Sequence, residues 1–458
     1  MQSKVELQNE IDTNNVVKPV SYYKNYAVNP IGSVPANLTA ITNPQVTFEL
    51  PADSLINFSR LIFSFSRGAT PATHATNTYV AIPANFFSFL SRIEVYSGSG
   101  NLKLLDLTNA DIYSKCSAHL NNDFLKNSNS NGLIYSKKGD DFIPNSNKEL
   151  DGAVVTKDAV LTYQNYEIGG LSSGTANQPL PSNNYNIRLG DAYPDTIFNL
   201  NKTIYIAKSV FIRMTFNNTS RIVCGISAGL PLAINNVTMP ISNFALKTYT
   251  ENDPLIIDQV KKQSMNGASY VMPDIVSNQI SVSGAGVKGL QSKFTNMTGN
   301  ADSRLYKCYS ILNSTGTGSA GTILPTSNYQ NGKYNYLSLF VNSQNILNLD
   351  VAANDDIHHM ILQHKDHSIT NDDILKDNGV ICNVFDTSLA HKEYNVDELK
   401  GLTFGNGDIT INWQYTIPAN LTSPAFPVYG SASYDNYQFG VILRKLYAKD
   451  GQLSSTVI

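Results

Sequence analysis

The sequence predicts an all-β protein built as two consecutive β-sandwiches of about eight strands each, with short helices in the loops. Three observations predict it. Apolar residues alternate with period two in short runs separated by Gly, Pro, Asn and Ser. A strand–turn–strand–helix unit over 86–120 is met again, about 245 residues later, over 336–364. Two later strands in each half stand at matched spacings.

In the first copy of the unit, Phe89, Ile93 and Val95 share one face of a strand, and Arg92, Glu94 and Tyr96 share the other. A Ser-Gly-Ser-Gly turn over 97–100 leads into an apolar run over 102–107. Asn109-Ala110-Asp111 then opens a short helix in which Ile112, Cys116 and Leu120 recur at helical spacing. In the second copy Leu339 and Val341 stand for Ile93 and Val95, and Leu349-Asp350 for Leu105-Asp106. Asn354-Asp355-Asp356-Ile357 stands for Asn109-Ala110-Asp111-Ile112, and Ile361 for Cys116. Further on, Ile409, Ile411 and Trp413 alternate as Ile212, Met214 and Phe216 do. From Phe216 to Lys247 is 31 residues, from Trp413 to Lys445 is 32, and both strands end Lys-x-Tyr. Two blocks in the same order predict a duplicated fold.

In chain order, residues 1–40 lack steady periodicity and carry Pro19, Pro30 and Pro35, which predicts an extended arm. The first sandwich is expected over 41–253. Val46, Phe48 and Leu50 alternate up to Pro51; Leu61, Phe63 and Phe65 alternate up to Arg67-Gly68. After the 86–120 unit, the loop-rich stretch 121–195 predicts an excursion on one side of the sandwich. Strands resume over 204–207 and 210–216, and a last one over 244–249 runs into Glu251-Asn252-Asp253-Pro254, the expected boundary. The second sandwich, with a C-terminal tail, is expected over 254–458. Ile280 and Val282 mark its first strand and Phe294 its second. A short helix is expected at 396–400 and a closing strand at 441–446. The strand count with long crossovers favours a jelly roll over an up-and-down barrel, and no strand–helix alternation supports a parallel sheet.

Composition excludes several function classes. Apolar residues make up 42% and charged residues only 15%, against roughly 25% charged in an ordinary soluble domain. The surface is therefore polar but weakly charged. A net charge of −3 with no Lys/Arg block gives no field for nucleic acid. The four cysteines, Cys116, Cys224, Cys308 and Cys382, lie more than 70 residues apart, which fits neither a disulfide framework nor zinc and predicts a reduced compartment. The start has no apolar signal core, and no apolar run is long enough for a membrane span. Sequons at Asn57 and Asn236 follow from the Asn/Ser/Thr richness rather than from glycosylation.

The motifs resolve into structural readings. Gly225-Ile226-Ser227-Ala228-Gly229 matches a nucleophile elbow, but Pro231 stands where the required helix should run, which predicts a hairpin loop. Gly316-Thr317-Gly318-Ser319-Ala320-Gly321 matches a dinucleotide fingerprint without the following helix, and reads as a mobile loop. His358, His359, His364 and His367 surround Asp366, yet His359 and His364 are five apart and point to different sides of a helix. His119 matches His364 in the first half without companions, so a structural role is expected rather than a metal. Asp355-Asp356 and Asp372-Asp373 suit helix starts, and Asp140-Asp141 suits a turn. No catalytic residue, metal ligand or cofactor site is predicted.

The stretch Phe89-Leu90-Ser91-Arg92-Ile93-Glu94-Val95 resembles a buried strand of double jelly-roll major capsid proteins. In that lineage a "hydrophobic, Lys/Arg, x, Val/Ile, Glu" strand leads through a Gly-containing turn into a short helix; here Ile93 follows Arg92 directly. The two-copy layout, the arm, the excursion and the size are similar too, over roughly 40–450. The smaller members, from virophages and polinton-like viruses, look most similar, and nucleocytoplasmic large DNA viruses share the lineage. The resemblance implies a structural subunit of the virion, assembled inside a host cell and not an enzyme. It implies homotrimers forming pseudo-hexagonal capsomers of an icosahedral shell, in contact with neighbouring capsomers, penton and minor capsid proteins. Two other classes are weighed against it. A carbohydrate-binding spike or tail protein would expose aromatic platforms, for which Tyr185 with Tyr193, or Tyr434-Asp435-Asn436-Tyr437, are candidates. A double jelly-roll amidase would carry a secretion signal and acids clustered at the sandwich interface.

Overall fold

A computed structural model describes residues 23–69, 78–83, 86, 88–98, 102–120, 166–169, 182–227, 230–233, 237–251, 253–283, 286–295, 304–314, 317–318, 321–322, 329–330, 333–350, 382–386, 402–404, 407–417, 433–450 and 452–457. The first half supplies eight principal strands: β1 Tyr23–Val28, β2 Gln45–Leu50, β3 Ile62–Arg67, β4 Leu90–Ser97, β5 Leu102–Thr108, β6 Asn183–Arg188, β7 Val210–Phe216 and β8 Met239–Glu251. They form two antiparallel sheets in the orders β1-β8-β3-β6 and β2-β7-β4-β5. Helix α1, Ala110–Leu120, follows β5.

The second half repeats the set. Its strands are β9 Ala268–Ser283, β10 Gly286–Thr295, β11 Arg304–Ser314, β12 Lys333–Val341, β13 Gln344–Asp350, β14 Cys382–Asp386, β15 Asp408–Ile417 and β16 Ser433–Lys449. Their sheets run β9-β16-β11-β14 and β10-β15-β12-β13. Each strand number therefore exceeds its counterpart's by eight, and each half has the crossed strand order of a jelly roll. A further strand, β17 Gln452–Val457, is added beside β16.

Register as well as order is repeated. Val95 lies opposite Ile212 and Ile93 opposite Met214; Val341 lies opposite Ile409 and Leu339 opposite Ile411. One equivalence shifts. Leu107 lies opposite Ile93, and Leu347, not a residue aligned through Leu349-Asp350, lies opposite Leu339. The reason is the turn. Asn342 and Ser343, at φ 51° and 65°, close β12–β13 in two residues, whereas Ser97 pairs with Leu102 across four.

Other expectations need correction. The arm expected over 1–40 is shorter, since Tyr23–Val28 pairs along its length with Leu246–Glu251. The excursion expected over 121–195 has returned to the sandwich by Asn183, where β6 pairs with β3. At the expected boundary a helix, α2 Pro254–Asn266, intervenes. Asp253 caps it by accepting from the Leu255 amide at 2.9 Å, Pro254 takes the first helical position, and Gly267, at φ 98°, ends it. The helix expected at 396–400 and the second-half helix near 357–364 lie outside the described residues.

Phe65 sits at the centre of the first core. Its ring stacks on Tyr185 at 4.8 Å and meets Phe89 and Phe216 edge-on at 5.5 and 5.4 Å. The alternation in β2 and β3 is what delivers Val46, Phe48, Leu50, Phe63 and Phe65 to this layer. The second interior, among the described residues, is partly polar. The Trp413 indole N–H donates to Ser292 Oγ at 2.9 Å, and buried Asn436 donates to Ser310 Oγ at 2.9 Å. Gly440 is required here, because a Cβ would stand 2.4 Å from the Phe294 ring on the opposite sheet.

Truncating Phe65 to Ala should cost about 3–5 kcal/mol of unfolding free energy, the range for large-to-small aromatic changes in a packed core. Urea denaturation checks it; a loss below 1 kcal/mol would show that the aromatic cluster does not hold this sandwich.

Candidate functional site: the seam between the halves

The two halves pack edge to face. α1 and the end of β5 lie against the outer side of the β9-β16-β11 sheet. Asn109 starts the approach, taking the left-handed backbone (φ 53°) that Asn tolerates, and its carbonyl accepts from the amides of Ile112 and Tyr113. Ile112, Tyr113 and Cys116 are fully buried. Tyr113 meets Phe439 edge-on at 5.5 Å and Tyr309 at 6.1 Å. Thr108, the last residue of β5, shares a 2.6 Å hydroxyl hydrogen bond with Ser277 on β9.

A buried carboxylate ties these surfaces together. Asp195 accepts from the Tyr309 hydroxyl at 2.6 Å, from the Tyr113 hydroxyl at 2.8 Å and from Lys307 Nζ at 3.2 Å. Burial alone would raise its pKa; Lys307 and the two phenols outweigh that and hold it below the usual carboxylate range. The same burial pushes Tyr113 well up. Beside it, Asp111 accepts from Arg221 Nε at 2.9 Å and Asn217 Nδ2 at 3.0 Å. Arg221 also faces Tyr437 of the second half.

A second acid stands at the flank. Asp274 on β9 lies 2.8 Å from Arg444 Nε, yet burial pushes it up to about 6, with the charge of Asp106 across the seam adding to the rise. Asp106 belongs to a clamp on the outer face of β4 and β5. Arg92 grips it with two bonds of 2.7 and 2.9 Å, and Lys103 adds one of 2.6 Å. Glu94, 3% exposed, lies beneath Arg92 (3.0 Å) and Arg213 (3.6 Å). It also accepts from Tyr96, whose hydroxyl burial and this bond push up to about 12. The Arg92–Glu94 pattern thus fastens the strand that carries the seam.

The motifs fall as follows. Cys224–Ser227 and Leu230–Ala233 form a hairpin, with Ser227 opposite Leu230 and Pro231 on the sheet's outer strand, so no nucleophile elbow exists. The tract read as a mobile loop instead pairs Thr317–Gly318 with Gly321–Thr322. The candidate sugar platform Tyr185 with Tyr193 is overturned, since both are fully buried core residues; in the second candidate Tyr437 is 3% exposed, and the side chain of Tyr434 lies outside the described residues. His358, His359, His364, His367, Asp366 and the pairs Asp140-Asp141, Asp355-Asp356 and Asp372-Asp373 lie outside the described residues. So does the side chain of His119. Among the described residues no group of three His, Cys, Asp or Glu could hold a metal. Acids do meet at the interface, as an amidase would need, but Asp111 and Asp195 are buried and held by Arg221 and Lys307. Sequence reading missed Asp195, Lys307, Tyr309, Asp274 and Arg444, because partners more than 100 residues apart leave no spacing signal.

No protein-family model and no curated protein matches the sequence. Solved structures do. The crystal structure of the mavirus major capsid protein superposes with a TM-score of 0.56 at 10% identity, covering 100% of this chain and 95% of that one. The Faustovirus major capsid protein gives 0.52 at 10% identity, covering 97% and 94%. A chain of the cryo-EM structure of the Sputnik virophage gives 0.50 at 11%, covering 96% and 89%. The fold is that of these capsid proteins. Among the described residues no helix is long and apolar enough to cross a membrane.

Two pH windows should separate the seam acids. The depressed pKa of Asp195 makes its contribution fully present above the unfolded value, about 3.9, and lost as pH falls through the folded one. Asp195→Asn should therefore cost roughly 3–5 kcal/mol at neutral pH and converge with the parent in acid; parallel curves would refute the assignment. Asp274 has the opposite sign. Its raised pKa makes the native state bind more protons, so its effect on stability falls as pH rises from about 4 to 6, by on the order of 3 kcal/mol. Asp274→Asn should flatten that segment of the melting-temperature profile, and an unchanged slope would show that Asp274 titrates normally.

Proposed function

We propose that this chain is a major capsid subunit of an icosahedral virus, residing in the virion and acting by assembly rather than catalysis. The observation that carries the reading is the doubled strand order, which fills the chain from β1 to β16 and matches capsid proteins over its whole length. We take residues 23–251 and 268–457 as the two domains, with α2 between them. Three such chains around an axis present six similar units, the count needed for a pseudo-hexagonal capsomer. Neighbouring capsomers, penton and minor capsid proteins are the remaining partners.

The weakly charged surface supports the same role. Lateral contacts desolvate few ions when only 15% of residues are charged. The spike or carbohydrate-binding reading loses Tyr185 and Tyr193 to the core and Tyr437 to the seam, and the amidase reading loses Asp111 and Asp195 to burial.

Native mass spectrometry of the purified protein should show three copies of the 50.1 kDa chain, and negative-stain images should show hexagonal outlines with three-fold features. Monomers or elongated fibres at micromolar concentration would reject the capsid reading.

A further inference from the structure

The outer face of the β10-β15-β12-β13 sheet carries a depression where the matching face of the first half is filled. Register sets the equivalences: Ser338 stands for Arg92, Phe340 for Glu94, Thr410 for Arg213 and Asn342 for Tyr96. In the first half Arg92 and Arg213 close over Glu94, and the Arg213 guanidinium lies 5.3 Å from the centre of the Tyr96 ring. In the second half Ser338, Thr410 and Asn342 are too short to fill that space. A cavity of about 780 Å³ is left, a size within the ~300–1,000 Å³ usual for ligand sites. Phe340 lines it together with Gln291, Lys293, Asp408, Thr410 and Asn412. Leu339 is buried on the core side, so alternation turns Phe340 outward, where it lies half-buried.

We propose that this cavity binds a neutral saccharide, with one pyranose ring on Phe340 and its hydroxyls on the polar groups around it. A sugar hydroxyl both donates and accepts, and so does an amide side chain. Gln291 Nε2 donates to Asn412 Oδ1, and Asn412 Nδ2 to Ser338 Oγ, both at 3.1 Å. These bonds align the amides and leave Gln291 Oε1 as an acceptor. Lys293 Nζ lies 2.7 Å from Asp408 Oδ2. The pair gives the cavity a cationic donor and an anionic acceptor with no net charge, which suits hydroxyls rather than carboxylate or sulfate groups. The negative face of the Phe340 ring suits the C–H face of a pyranose. Asn342, at φ 51°, lays its amide over Gly407, where a Cβ would collide with Asn342 Oδ1.

A peptide is the rival occupant, and the site offers it little. The backbones of β10, β15 and β12 already pair with one another beneath the cavity, so no strand can be added there. One half-buried ring is not the desolvated apolar pocket that anchors a protein partner. The residues are also distinct from Tyr185, Tyr193 and Tyr437, which are buried. The inference goes beyond the capsid reading and does not need it, because a single chain holds the whole cavity. In a shell of many subunits, weak sites of this kind would act together.

A printed array tests the ligand class. It holds neutral hexose oligosaccharides beside sialylated and sulfated ones, with peptides and bare linker, and is probed with labelled full-length protein. Neutral saccharides should retain the protein, and every other spot should match bare linker. The neutral saccharide giving the strongest spot is then titrated by saturation-transfer NMR against the parent and its variants, each checked by thermal melting. Phe340→Ala should weaken binding about tenfold and Gln291→Ala about fivefold. Gly407→Ala, which pushes the Asn342 amide aside, should weaken it as well. Lys103→Ala, on the matching face of the first half, should leave it unchanged. Gln291 is exposed, so its variant decides the matter if Phe340→Ala fails to fold. No neutral saccharide above bare linker would overturn the proposal, as would a preference for sialylated or sulfated sugars. Peptide binding in its place, weakened by Gln291→Ala, would assign the cavity to a protein partner and overturn it. Full saccharide binding by both variants would place the sugar elsewhere and overturn it too.

Discussion

The whole arrangement depends on one buried carboxylate with three donors. Asp195 belongs to the first half, Tyr309 and Lys307 to the second, and Tyr113 to the helix packed between them. Left alone in this apolar seam the charge would be costly, so the second half must lie where Lys307 reaches it. Hydrophobic contact between Tyr113, Phe439 and Val441 supplies attraction without direction. The carboxylate supplies direction. It fixes how one sandwich is set against the other, and so fixes where the outward surfaces of both point.

Around that constraint the copies have diverged. The outer face of the first β2-β7-β4-β5 sheet carries a charge clamp of Arg92, Glu94 and Arg213. At the matching positions of the second half stand Ser338, Phe340 and Thr410. The first interior is a layer of packed rings centred on Phe65. The second carries Asn436, Gln438 and Ser310 fully buried in a hydrogen-bonded chain. Strand order survived these changes because alternation and turn position specify it, and neither requires a particular side chain.

Much of this was legible in the sequence. Val46, Phe48 and Leu50, or Ile409, Ile411 and Trp413, announce strands by alternation alone, and the two-copy pattern predicted the shared register of Val95 and Val341. β1 was missed because its residues, Tyr-Lys-Asn-Tyr-Ala-Val, alternate weakly and gain their order from pairing with β8. α2 was missed although Asp253-Pro254 is a readable helix start, because Asp253-Pro254 also reads as a break. The hairpin register slipped because Asn342-Ser343 turns more tightly than the glycine turn of the first copy. The seam was not legible at all. Asp195 and Lys307 are 112 residues apart, and only the folded chain makes them neighbours.

The continuity of the seam with the first core also sets an order of events. One apolar cluster runs from Phe65 through Tyr113 to Phe439 and Val441, while Trp413, Phe294 and Ile411 lie apart from it. A ribosome releases the first half before the second exists, so a finished sandwich is available as a template. β9, β11 and β16 then pair with one another against a wall that is already in place.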